Sequence, residues 1–90
     1  MYIISYDISD DKLRTKFAKM LTKNVAIRLQ YSVYEVNHSK RVLDNLILKI
    51  EGSFMKKFSE ADSVVVFSVS PDEVHKYGNA IHRDCDVVFL

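Results

Sequence analysis

Apolar and polar positions change period several times along the chain, and each change marks an element. Tyr2, Ile3, Ile4, Ser5 and Tyr6 form an apolar, β-branched and aromatic run, long enough for a strand covered on both faces and too short for a helix. The strand ends near Asp7 or Ile8. Leu13, Phe17, Met20 and Leu21 then recur at helical spacing. This predicts a helix from about Asp10 to Lys23, with Ser9 as N-cap and Asp10 and Asp11 where the positive end of a helix favours carboxylates. The stripe leaves Lys12, Lys16, Lys19 and Lys23 mostly on the other, displayed face.

Val25 to Val36 is strand material throughout, with Ile27, Leu29, Val33, Tyr34 and Val36 among polar neighbours. No Gly, Pro or Asn marks a turn inside it, so the pattern leaves open one long bent strand or two strands meeting near Tyr31 and Ser32. Leu43, Leu46, Ile47, Ile50 and Phe54 give a second amphipathic helix, with Ser39 as N-cap, weakened at Gly52 and continuing toward Phe58. The run SVVVFSV from Ser63 to Val69 predicts a strand central in the sheet, and Pro71, Asp72 and Glu73 open a turn or short helix. Val87 to Leu90 form an apolar strand at the C-terminus that needs something to pair with, a partner subunit being one candidate. Helices on one face of a mostly antiparallel sheet suit this order, which is a ferredoxin-like α+β sandwich.

Ninety residues bury one core, so residues 1–90 are expected to form a single domain. A domain this small often gains burial by pairing with a copy of itself. One cysteine, Cys85, excludes an internal disulfide and a thiolate zinc site, which fits a reducing, cytoplasmic setting. The opening MYIISYDISDD lacks the features of a secretory signal, and no apolar run is long enough to span a membrane, so a soluble protein without a membrane partner is expected. Net charge is +1, which taken alone argues against nucleic acid. Its distribution is uneven and suits either an ordinary solvated helix face balanced by acidic loops or a phosphate-binding surface. Lys12, Arg14, Lys16, Lys19, Lys23 and Arg28 occur between Lys12 and Tyr34 with no acid among them, whereas acids dominate after Phe58.

Candidate chemistry is sparse. Asp7 directly follows a buried strand and is therefore placed at a sheet end, although beside Ser9 and Asp10 it also reads as a turn or capping aspartate. One carboxylate holds a divalent ion poorly, so a metal at Asp7 requires a twofold axis that brings two copies together. His38, His75 and His82 lack ligand spacing, Cys85 lies between two acids, and two glycines cannot make a phosphate loop. Tyr2, Tyr6, Tyr31 and Tyr34 suit packing and could also stack on bases. Arg28 within a strand either faces solvent or pairs with a carboxylate or phosphate.

The segments YDISDDKLRTKFAKML, IRLQYSVYEV and SVVVFSV, in this order over most of the chain, resemble the CRISPR-associated endonuclease family of small ferredoxin-like proteins, the non-integrase core subunit of spacer acquisition. The resemblance implies a βαββαβ core with an added C-terminal strand at about residues 86–90, a homodimer, and an integrase partner bound along captured duplex DNA. It also implies, for some members, metal-dependent cleavage of DNA or single-stranded RNA. Carried over residue by residue, Asp7 looks like the Mg²⁺ or Mn²⁺ ligand with Tyr6 beside it in the catalytic site. Arg14, Lys16 and Arg28 match basic positions that hold nucleic acid, flanked by Lys12 and Lys19, and Tyr34 matches an aromatic near the site. Lys16 stands where arginine is often found, which keeps the charge and loses the bidentate grip on phosphate. Three functions follow for test: a nuclease, a DNA-binding adaptor, and a small-molecule regulatory module, since fold does not fix function.

Overall fold

A computed structural model describes residues 1–80 of the chain. The apolar run at the N-terminus forms β1 (Tyr2–Asp7), followed by α1 (Asp11–Lys23), β2 (Ile27–Gln30), β3 (Val33–Val36), α2 (Lys40–Lys49) and β4 (Ser63–Ser68). The strands lie in the order β2-β3-β1-β4, every neighbour antiparallel. This is the ferredoxin-like arrangement. Ile4 and Tyr6 of β1 and Tyr34 and Val36 of β3 point to one face, where they form a core with Phe17 and Leu21 of α1 and with Leu46 and Ile50 around the end of α2. The periodicity of α1 explains its packing, since Leu13, Phe17 and Leu21 lie one turn apart and are all buried.

Several boundaries differ from expectation for identifiable reasons. Asp10, not Ser9, caps α1, its carboxylate accepting the Leu13 amide at 2.8 Å; Ser9 is turned toward the loop before β4 instead. Val25–Val36 is two strands. The turn at Tyr31 and Ser32 was invisible as a turn because Ser32 adopts φ 65, a conformation usually left to Gly or Asn. A bulge between Arg28 and Gln30 further breaks the pattern of β2. Ser39 occupies the N-cap position of α2 without a side-chain capping bond. That helix loosens two residues before Gly52, into a π-helical turn at Ile50–Phe54 and a short 3₁₀ turn at Met55–Lys57.

The expectation that SVVVFSV lies centrally is corrected. Among the described residues β4 is an edge strand, pairing only with β1. Val64 and Val66 pack against the core, while Val65 and Phe67 on the opposite face stay 47% and 49% exposed. A continuous apolar run therefore arose from one buried face and one half-open face. Beyond β4 the chain is tied to its own start, Val69 and Met1 exchanging two hydrogen bonds of 2.9 Å. It then passes through a 3₁₀ turn at Pro71–Glu73, closed by a reciprocal Ser70–Glu73 capping box, and a second at Gly78–Ala80 that lies against β2.

That crossing follows a row of residues on the sheet face away from the helices. Phe67, Ile3, Glu35 and Ile27 sit side by side across all four strands. Glu35 is fully buried there, with Lys76 of the crossing segment ion-paired to one carboxylate oxygen and the Asn37 amide donating to the other. The strand expected at residues 86–90 lies outside the described residues.

Candidate nucleic-acid interface

Asp7 ends β1 opposite Ser63 of β4 and is exposed on the face away from the helices. The acids that could have joined it are engaged elsewhere. Asp10 caps α1, and Asp11 pairs with Arg14. Asp62 accepts the Ser9 amide and hydroxyl and the Ser59 amide, each at 2.9 Å. Among the described residues no group of three or more His, Cys, Asp or Glu side chains is placed to hold a metal ion. The expected Mg²⁺ or Mn²⁺ at Asp7 is therefore corrected, because a hard divalent cation needs several oxygen ligands and the neighbouring carboxylates are spent on loops and caps. Among the described residues of one chain, metal-assisted cleavage has no such ligand set. His38 and His75 are exposed; His82 and Cys85 lie outside the described residues.

Tyr6 is a core residue. Its ring meets Phe17 edge-on at 4.7 Å and stacks with Tyr34 at 6.1 Å. Burial, reinforced by the adjacent Tyr34 hydroxyl, pushes the Tyr6 hydroxyl up to about 12, which takes its ionisation still further from neutral pH and leaves it a hydrogen-bonding group. Tyr34 is likewise buried. The two place a pair of phenols beneath α1.

Arg14 spans the loop between β1 and α1, donating to the Ile8 carbonyl at 3.0 Å and pairing with Asp11. The bond to Asp11 holds its guanidinium more firmly protonated than usual. Arg28 on edge strand β2 lies over the Tyr31 ring, 6.0 Å from its centroid. With Thr15, Ala18, Lys19, Ser32, Tyr6 and Tyr34, these residues line a notch of about 220 Å³ between α1 and the β2–β3 hairpin.

The lysines form two further depressions on the helical side. Lys12 and Lys16 line one with Lys57, Asp10 and Leu13. Lys16 also lines the second, with Lys19, Lys23 and Lys49. Lys16 thus joins the two depressions, and Lys19 joins the second to the arginine notch. Lys49 and Lys57 were missed by sequence reasoning, as were Glu35, Lys76 and Asp62. Only Glu35 carried a signal, a carboxylate inside a β run.

Fold and surface together define a small ferredoxin-like α+β protein whose cations are concentrated on its helical side. The sequence model of the family described as CRISPR associated protein Cas2 matches residues 1–77. The chain is 36% identical over 70 residues to the CRISPR-associated endoribonuclease Cas2 3 of a Synechocystis species, covering 78% of this chain and 72% of that protein. It is 32% identical over 77 residues to the CRISPR-associated endonuclease Cas2 2 of Thermus thermophilus, covering 79% and 84% respectively. The crystal structure of a hypothetical protein from Thermus thermophilus shares the fold with a TM-score of 0.65 at 29% identity, over 77% of this chain and 79% of that one. The chain belongs to the CRISPR-associated Cas2 family and takes that family's general place in CRISPR adaptation.

Proposed function

We propose that the chain acts as the nucleic-acid-binding adaptor of spacer acquisition, a homodimer that holds captured duplex DNA through its helical side and docks the integrase subunit. The observation that carries this reading is the lysine surface. Lys12, Lys16, Lys19 and Lys23 present about one ammonium per turn of α1, and Lys57 and Lys49 join that line in the two depressions. Asp10 is the single acid among the residues lining the two depressions. A row of flexible point charges suits the regularly spaced phosphates of a duplex and reads no sequence. The half-exposed Val65 and Phe67 support a second copy as the cover for the open sheet face. Binding needs no carboxylate cluster, and cleavage by the metal route does.

Fluorescence anisotropy of a labelled blunt duplex against the full chain, repeated over a range of KCl concentrations, tests the reading. Affinity is expected to fall linearly with salt on logarithmic axes. Binding that is absent, or indifferent to salt, would leave the small-molecule module as the better account.

A further inference from the structure

The arginine notch differs in chemistry from the lysine surface it adjoins. Every ionisable group in its lining is a cation or a phenol; Arg14, Lys19 and Arg28 supply the charge, and Asp11, which pairs with Arg14, is not part of the lining. Ser32 and the two buried phenols add hydroxyls that can donate. Such a lining matches a phosphate, whose oxygens only accept. At the rim stands Tyr31, 67% exposed at the hairpin turn. Its ring is held from one side by the Arg28 guanidinium, and it has no other ring partner among the described residues. An exposed aromatic face beside a cationic cavity offers base stacking next to phosphate binding. A paired base inside a duplex cannot use that face, since both of its own faces are already stacked.

We propose that the notch is a nucleotide subsite separate from the duplex-binding lysines, taking the phosphate of one unpaired nucleotide between Arg14, Lys19 and Arg28 with its base against Tyr31. The subsite rests on the nucleic-acid reading above and adds the form of nucleic acid: a strand bearing an unpaired nucleotide rather than a flush duplex. The same chemistry is carried by a free nucleoside monophosphate, and the test separates the two sources.

Three probes are compared with the full chain at one salt concentration: a blunt duplex, the same duplex with a three-nucleotide 5′-phosphorylated overhang, and adenosine 5′-monophosphate as competitor. The overhang is expected to bind about tenfold more tightly than the blunt duplex, the scale of one stacked base. Tyr31→Ala should bring the ratio of the two affinities to about one, and Tyr31→Phe should restore it. Tyr31 is exposed at a turn, so neither variant threatens the core. Competition by the monophosphate only at millimolar concentration assigns the subsite to strand ends, and competition at micromolar concentration assigns it to the free nucleotide. Equal affinity for blunt and overhanging duplex, without competition by the monophosphate, overturns the proposal. A chain that ignores blunt duplex yet binds the overhang or the monophosphate through Tyr31 keeps the subsite and overturns the adaptor reading instead.

Discussion

Two residues show how this small domain departs from what its local sequence favours. Val25 follows the C-cap of α1 with φ 64, and the next residue, Ala26, returns its amide to the Leu21 carbonyl at 3.0 Å. That is a Schellman-type helix end with a β-branched residue where glycine is usual. The left-handed conformation costs an L-residue about 1–2 kcal/mol, and glycine returns roughly half of that gain through the entropy of its unfolded chain. Val25→Gly is therefore expected to stabilise the protein by about 0.5–1 kcal/mol, read as a higher urea midpoint at unchanged slope. The Glu35–Lys76 pair has the opposite character. Lys76→Met removes the cation ion-paired to a fully buried carboxylate and is expected to cost about 3 kcal/mol. Replacing both partners by apolar residues, Glu35→Leu with Lys76→Met, should recover most of that loss, because the charge is removed along with its partner. A double-mutant cycle in urea measures both; a double variant no more stable than Lys76→Met would mean that the pair is not what holds the segment. Neither the left-handed turn at Val25 nor the partner of Glu35 was legible from the chain. Val25 reads as ordinary strand material, and Glu35 finds its cation 41 residues away by sequence number.

Elements were legible where the signal is local. The stripe of Leu13, Phe17 and Leu21 and its displayed lysines follow from period alone. The end of α2 was legible only as a weakening at Gly52, because a π-helical turn keeps helical composition while changing its hydrogen bonding. A methyl group added at Gly52 would meet nothing within 4 Å. Gly52→Ala is thus expected to raise stability by about 0.4–1 kcal/mol, seen as slower hydrogen exchange of the amides from Ile50 to Phe54. The joint between the β1–α1 loop and the loop before β4 was not legible at all, since Asp62 reaches Ser9 across 53 positions. Hydrogen bonds from the Ser59 and Ser9 amides hold the Asp62 carboxyl below its ordinary value of 3.8. A depressed folded-state value means that this contribution is present above 3.8 and is lost as pH falls through the lower folded value. Asp62→Asn should consequently flatten the acid limb of stability below about pH 4. Urea titrations at stepped pH check it, and an unchanged acid limb would assign the loss to other carboxylates.

At the scale of the whole molecule, topology decides which charges act together. The sequence places four lysines on α1, but Lys49 comes from the last turn of α2 and Lys57 from the turn beyond it, and only packing against α1 brings them to the same surface. The same non-local pairing put β4 at an edge rather than the centre and engaged Asp62 with Ser9, while Asp10 and Asp11 are held by local contacts at the start of α1. Arg14, Lys19 and Arg28 line the notch and Lys16 the depression beside it, whereas the resemblance overstated the metal, because a motif records residue types without recording how their neighbours are employed. The surface has a quantitative consequence. Six lysines line the two depressions, and if each neutralises one phosphate, the slope of log affinity against log salt is about −5 per chain. Each of Lys16→Gln, Lys23→Gln and Lys49→Gln should then reduce the slope by about 1 and weaken binding to every duplex alike, whatever its sequence. Lys40, which pairs with Asp44 at the start of α2 and lines neither depression, is the control. Lys40→Gln should leave the slope where it was. A surface acting only through net charge would instead respond equally to all four substitutions, so the difference between Lys49 and Lys40, two lysines on the same helix, decides whether the duplex lies along α1.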